Sequence, residues 1–128
     1  MKYFLTFSIG SIGYGLLEIL WRGYTHPSML FTGGICMVLI LFISEYFAAL
    51  SIFKKSLLCS FAITAVEMCV GVIVNLAMHL GVWDYSGLKY NLLGQISLLY
   101  TVLWFFLSLI ILSCIDIFHR LRIRRKIT

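Results

Sequence analysis

Four long apolar runs constrain this chain more than any other feature of its sequence. They cover approximately residues 3–20, 29–50, 57–81 and 92–115. Each reaches or approaches the ~20 residues that an α-helix needs to cross ~30 Å of hydrocarbon. Of the 128 residues, 62% are hydrophobic and 12% are charged, whereas soluble domains have about half and about a quarter. The sequence therefore predicts an all-α fold, an integral membrane four-helix bundle forming a single transmembrane domain over residues 1–128.

The connections between the apolar runs are short, at residues 21–28, 51–56 and 82–91. Short connections make consecutive helices antiparallel neighbours, so we expect two helical hairpins. The first run could instead be a signal peptide, but no small-x-small cleavage site precedes a polar sequence. We interpret it as a retained helix.

Positive charge is distributed unevenly between the two sides that four spans would create. Two of the ten Lys and Arg residues, Arg22 and Lys89, lie on one side. The other eight lie on the side of both termini: Lys2, Lys54, Lys55, Arg120, Arg122, Arg124, Arg125 and Lys126. Because Lys and Arg accumulate in cytoplasmic loops, we predict a plasma-membrane protein with both termini cytoplasmic (N-in/C-in). The basic tail is expected to contact anionic lipid, and no nucleic-acid partner is predicted because the run is short and directly follows a span.

Polar residues within the runs recur at helical spacing. On the third run they are Ser60, Thr64, Glu67, Gly71, Asn75 and His79. On the fourth they are Asn91, Gly94, Ser97, Thr101, Trp104 and Ser108. Residues three or four apart share one helix face, so we expect these faces to meet inside the bundle. Such faces can serve packing as well as binding.

Glu67 is the most informative of these residues, because counting along the third run places it near the membrane midplane. A carboxylate there needs a partner or must stay protonated. We expect hydrogen bonds from Asn75, Ser97 or Thr101, within a polar pocket that opens to the outer side. The predicted ligand-binding residues are Glu18, Glu67, Asn75, His79, Trp83, Asp84, Tyr85, Asn91, Gln95 and Trp104.

Catalytic and metal-binding motifs are not found in the sequence. There is no His-Glu-x-x-His, no Gly-x-Ser-x-Gly and no phosphate-binding glycine loop. The four cysteines, Cys36, Cys59, Cys69 and Cys114, lie in the apolar runs without a Cys-x-x-Cys pair, so we interpret them as packing residues. We predict no metal, no cofactor and no catalytic residue.

Residues 83–86, Trp-Asp-Tyr-Ser, are followed by Asn-Leu-Leu-Gly-Gln-Ile at 91–96 and by Trp104. This segment resembles the characteristic part of the type IV ABC-transporter permease family, which are small bacterial membrane proteins described as transporter subunits. Glu18, residues 22–24 and Glu67 are similar to other positions of that family. The resemblance implies a polytopic membrane subunit whose energy would come from a separate ATPase.

Three functions are compatible with these features. The leading hypothesis is a transport or ligand-binding component that recognises a small solute or a lipid headgroup, alone, as a homo-oligomer or with an ATPase subunit. The second is an intramembrane enzyme that acts on a lipid or lipid-linked substrate, with Glu and His as acid and base. The third is a structural or regulatory membrane subunit whose polar faces only join helices.

Overall fold

The computed structural model describes residues 1–127, so Thr128, the end of the predicted domain, lies outside the described residues. The helices are α1 (Lys2–Arg22), α2 (Pro27–Tyr46), α3 (Ile52–Gly71) and α4 (Leu98–Ile127), and α3 continues as a π-helical segment, Val72–Ala77. Two short antiparallel strands, β1 (Asn91–Leu92) and β2 (Ile96–Ser97), lie between α3 and α4. All four helices are long and apolar enough to cross a membrane. The predicted all-α membrane fold with four helices is confirmed, whereas the N-in/C-in orientation stays a prediction.

The two ends of the bundle differ in the segments that they carry. The loop end carries the α1–α2 connection (residues 23–26) and the α3–α4 loop (residues 78–97). The tail end carries the N-terminus, residues 47–51 and the last turns of α4.

Local signals in the sequence set most helix ends. Helix α1 ends at Gly23, whose φ of +83° places it in the left-handed region that favours glycine, and its N–H bonds to the Ile19 carbonyl. Helix α2 begins with Pro27 at a position that needs no N–H donor, preceded by His26, whose ring accepts a hydrogen bond from the Ser28 N–H. Ser51 caps α3 in the same way, since its hydroxyl accepts from the Lys54 N–H.

Helix bounds differ from the apolar runs mainly around α4. The run at 92–115 predicted a helix from residue 92, but Tyr90, Leu93 and Gly94 have φ values of +57°, +54° and +72°. A right-handed helix cannot include such residues, so α4 begins only at Leu98. Its 30 residues span about 45 Å at 1.5 Å per residue, which exceeds the ~30 Å hydrocarbon core. The basic residues of the tail are therefore helical, and α4 is long enough to extend beyond that core.

The other runs differ from their helices by a few residues at each end. Helix α2 ends at Tyr46, short of the predicted residue 50. Helix α3 begins at its Ser51 cap, ahead of the predicted residue 57, and helical structure stops at Ala77, ahead of residue 81.

Packing follows the two predicted hairpins, because α1 packs mainly on α2 and α3 mainly on α4, with α2 and α3 joining the pairs. Within residues 1–127, α1 has no comparable backbone contact with α3 or α4. One core cluster lies toward the tail end and consists of Ile40, Ile43, Cys59, Ile63 and Leu112. A second lies at the loop end and consists of Met29, Val74, Val82 and Trp83. The arrangement leaves α1 and α4 apart on one side of the bundle.

Candidate functional site

A cavity of about 390 Å³ lies between these two core clusters and is lined by all four helices. Its walls are mainly aliphatic, with glycines on α1 and α2 and with Tyr14, Trp83 and Trp104 as its aromatic side chains. On α1 it is lined by Ile9, Gly10, Gly13, Tyr14 and Leu17, and on α4 by Trp104, Leu107 and Ile111. Its volume falls within the range usual for small-molecule sites.

The cavity is open toward the side on which α1 and α4 are apart. Ile9 and Leu17 line it and are nevertheless 56% and 51% exposed. Gly13, between them, has no heavy atom within 4 Å of the position that a Cβ would occupy. The cavity therefore opens between α1 and α4, on an apolar side of the bundle.

Glu67 lines the cavity and is the acidic residue among its described lining residues. Its side chain is buried, with the residue 4% exposed. One carboxylate oxygen, Oε2, accepts a hydrogen bond from the Tyr85 hydroxyl at 3.1 Å. The other, Oε1, is buried and has no hydrogen-bond partner within the described part of the chain. The prediction that Asn75, Ser97 or Thr101 forms a hydrogen bond with Glu67 is wrong, since all three side chains bond to other groups.

Tyr85 is positioned by an aromatic row that continues across the cavity. Its ring stacks on Tyr100 at 4.5 Å and 11°, and Tyr100 lies 6.1 Å from Trp104. Trp104 in turn lies 6.1 Å from Tyr14 on α1. Burial raises the pKa of the Tyr85 hydroxyl, and the Glu67 carboxylate raises it further, so Tyr85 stays protonated and donates.

The Trp104 indole N–H is a second polar group at the cavity that has no partner. Trp104 lines the cavity, and its Nε1 is buried without a hydrogen-bond acceptor among residues 1–127. Buried polar groups are almost always hydrogen-bonded, so each exception needs an explanation. Glu67 Oε1 and Trp104 Nε1 are thus an acceptor and a donor that both lack a hydrogen-bond partner of good geometry at the same cavity, where the Trp104 side chain interacts with the Glu67 carboxylate.

Glu18 lies near this group but has its own cation. Its carboxylate accepts from Arg22 Nε at 2.6 Å, with 12% and 23% of the two side chains exposed. Arg22 also donates to the Val82 carbonyl at 3.0 Å and lies over the Tyr24 ring at 4.7 Å. The pair therefore ties the end of α1 to the α3–α4 loop, and the charge of Glu18 is neutralised there.

The α3–α4 loop is held on α3 by hydrogen bonds of buried and partly buried amide groups. Asn75 Oδ1 accepts from the Val82 N–H at 2.6 Å, and its Nδ2 donates to Gln95 Oε1 at 2.8 Å. The Trp83 indole N–H donates to the Gln95 carbonyl at 3.0 Å. Trp83 and Gln95 are 6% and 3% exposed. Asn75 and Gln95, two of the predicted ligand-binding residues, hold Trp83 against the cavity and do not themselves line it.

Asp84 and Asn91 shape the exposed part of this loop. Asp84 is exposed, and its Oδ1 accepts from the Ser86 N–H at 2.9 Å. That hydrogen bond holds the pKa of Asp84 below its usual value. Asn91 donates to the Leu88 carbonyl at 2.7 Å and accepts from the Gly94 N–H at 3.1 Å. Neither Asp84 nor Asn91 lines the cavity.

The expectation that Asn91 and Gly94 share a face of the fourth helix is wrong, since both precede α4. Residues 83–96, which carry the resemblance to the transporter family, therefore belong to the α3–α4 loop and its two short strands. Its contribution to the cavity consists of the Trp83 wall and the Tyr85 hydroxyl on Glu67.

His79 does not join the other predicted residues. It is exposed in the turn that follows the π-helical segment and has a φ of +55°. The helical spacing that placed it on the face of Glu67 does not apply, because helical structure ends at Ala77. Of the ten predicted residues, the structure brings Glu67, Trp83, Tyr85 and Trp104 together, with Glu18 beside them.

Sequence reasoning missed Tyr14 and Tyr100, which complete the aromatic surroundings of Glu67. Tyr14 stands four residues before Glu18 on α1, and this spacing could have placed it on the inner face. Tyr100 gave no comparable signal, since aromatic residues are frequent throughout the fourth run. Among residues 1–127, no group of His, Cys, Asp and Glu side chains is arranged to hold a metal ion.

Comparison with known protein families gives a match over most of the chain. The family model described as "Putative ABC-transporter type IV" matches residues 18–127. The matched range includes Glu18, Glu67 and the whole α3–α4 loop. No curated protein and no solved structure matches the chain.

Proposed function

The chain belongs to the type IV ABC-transporter family, and from this premise we propose that it is the membrane-embedded, ligand-binding component of a transport system. The cavity between the four helices is its binding site. The observation that carries this proposal is Glu67, a buried carboxylate that faces the cavity with one oxygen unpartnered.

A purely structural carboxylate would be expected to use both oxygens. Burying a charged or polar group without hydrogen bonds is costly, and a group that only joins helices gains nothing from leaving one oxygen unpaired. Glu67 instead has one oxygen held by Tyr85 and the other buried beside the cavity without a hydrogen-bond partner among the described residues. This division supports a ligand-binding role over a role in helix association.

The lining of the cavity favours transport over catalysis. None of its described residues is a serine or a histidine, and Cys36 is the only thiol among them. An acid–base reaction on a lipid substrate would need a second group near Glu67 that is free to exchange protons with the substrate. Glu18 is already paired with Arg22. Tyr85 stays protonated and is already used as a donor to Glu67.

The proposed orientation places the loop end outside and the tail end in the cytoplasm, because eight of the ten basic residues lie at the tail end. The cavity then lies on the cytoplasmic side of the α3–α4 loop, between the two core clusters. The chain carries no phosphate-binding glycine loop, so the energy for transport would come from a separate ATPase. The cytoplasmic face is where such a subunit would dock.

Glu67→Gln tests the proposal, because glutamine keeps the shape and can still accept from Tyr85 but cannot be charged. We expect the melting temperature of the purified protein to stay near that of the wild type, since interhelical hydrogen bonds in membranes contribute only ~0.6–2 kcal/mol. In a deletion strain whose growth or uptake defect the wild-type chain corrects, the variant should fail to correct it.

Glu18→Gln is the matched control. It removes a carboxylate that Arg22 already pairs, so it should lower the melting temperature by leaving a partly buried guanidinium without its partner. Full growth or uptake with Glu67→Gln would remove Glu67 from the mechanism and leave the cavity a packing defect.

A further inference from the structure

The charge surrounding the cavity is unbalanced. The titratable groups that interact with Glu67 are Tyr14 and Glu18 on α1, Cys36 on α2 and Tyr85 of the α3–α4 loop. None of these is a cation, and Arg22 is already engaged with Glu18. No Lys or Arg is among the described lining residues. An ionised Glu67 therefore has to obtain its positive partner from a ligand.

The aromatic side chains of the cavity are also suited to a positively charged ligand. Tyr14, Trp83 and Trp104 line the space around Glu67, and the row of Tyr85, Tyr100 and Trp104 extends it. The faces of such rings attract ammonium and related cations, and this attraction grows to about 2 kcal/mol when the cation is desolvated. A carboxylate with neighbouring aromatic rings is thus selective for positive charge.

The other lining residues of the cavity are apolar, and they indicate the kind of molecule that carries the positive charge. Leu17, Met29, Met37, Ile40 and Ile63 are among the lining residues, and they offer only apolar contacts. An inorganic ion would lose its hydration shell against these side chains without replacement ligands. A cation that carries an apolar body would bury that body and present its charge to Glu67.

The lateral opening is consistent with such a molecule. The gap between α1 and α4 is bordered by Ile9, Gly13 and Leu17, which face the acyl-chain region. Amphipathic molecules partition into the bilayer, so they would reach the cavity through this gap without crossing the α3–α4 loop.

We infer that the ligand of this cavity is a lipophilic organic cation, which enters from the membrane between α1 and α4 and pairs with Glu67. The inference rests on the proposed function, because it assigns a substrate class and an entry route to the same binding site.

Two probes of the same shape and opposite charge test the substrate class. The full-length chain in detergent or in nanodiscs is titrated with tetraphenylphosphonium and, separately, with tetraphenylborate. The readout is tryptophan fluorescence, to which Trp83 and Trp104 of the cavity wall contribute. We expect saturable binding of the cation only. Glu67→Gln should weaken that binding about tenfold or more, which corresponds to ~1.4 kcal/mol, whereas Glu18→Gln should not.

Gly13→Leu tests the entry route. No heavy atom lies within 4 Å of the Gly13 Cβ position, so the leucine can be accommodated and extends into the gap. We expect slower association of tetraphenylphosphonium without a loss of melting temperature. Ile12→Phe adds bulk on the exposed neighbouring face, where Ile12 is 65% exposed, and should leave the rate unchanged.

The possible results separate the two proposals. Equal binding of both probes, or undiminished cation binding by Glu67→Gln, would overturn the assignment of a cation while leaving the cavity as a binding site. An unchanged association rate in Gly13→Leu would overturn the lateral route. If neither probe binds and Glu67→Gln also supports full growth, the proposed function fails together with the inference.

Discussion

Substituting Gly71 by alanine tests whether the α3–α4 loop is seated on α3 as the structure shows. A Cβ on Gly71 would lie 2.6 Å from Gln95 Oε1, 3.0 Å from Gln95 Cβ and 3.0 Å from Trp83 Cζ2. The Gln95 amide could rotate away only by breaking its hydrogen bond with Asn75, and Trp83 is fixed by its bond to the Gln95 carbonyl. The added methyl group therefore displaces the loop.

The magnitude follows from two opposing effects. In a helix interior without close neighbours, replacing glycine by alanine stabilises a protein by about 0.5–1 kcal/mol, because glycine loses more backbone entropy on folding. Overpacking costs about 1–3 kcal/mol, and separating Gln95 from Asn75 adds up to ~1–2 kcal/mol for an interhelical type of hydrogen bond. The net expectation for Gly71→Ala is a loss of about 1–4 kcal/mol.

Thermal unfolding of the purified protein in detergent, followed by tryptophan fluorescence, measures this loss. Gly13→Ala is the control, because the space around its Cβ is open and only the favourable helix effect remains. The two substitutions should therefore shift the melting temperature in opposite directions. A melting temperature for Gly71→Ala at or above that of the wild type would refute the seating of the loop and, with it, the position of Tyr85 over Glu67.

Two further predictions concern the loop and the topology. In a background that lacks the four native cysteines, Ser86→Cys should react with a membrane-impermeant maleimide on intact cells and Thr128→Cys should not; reaction of both would exclude the four-span orientation with both termini inside. Because the hydrogen bond from Ser86 lowers the pKa of Asp84, its contribution to stability is present above the usual pKa of about 3.9 and is lost as the pH falls through the lower folded-state value. Asp84→Asn should accordingly show a melting temperature that depends less on pH below about 4, and an unchanged acid profile would contradict this contribution.

The sequence alone determined the membrane fold and the location of its most unusual residue. The number of spans follows from the lengths of the apolar runs, and a carboxylate as far inside a run as Glu67 is recognisable as exceptional without any structure. The caps at Gly23, Pro27 and Ser51 are also local signals. Each of these features depends on neighbouring residues in the chain or on the cost of placing a group in hydrocarbon.

Only the tertiary structure decided which groups surround Glu67. Helical periodicity assigned it Asn75, Ser97 and Thr101, but the chain leaves the helix after Ala77, and left-handed backbone at Tyr90 and Leu93 delays α4. Neither Tyr nor Leu favours that conformation, so the sequence carries no local signal for it. The energy that holds the loop comes from contacts between residues far apart in the chain, such as Asn75 with Gln95 and Tyr85 with Glu67. Those contacts exist only once α3 and the loop are packed together, and for that reason they could not be derived from spacing along the chain.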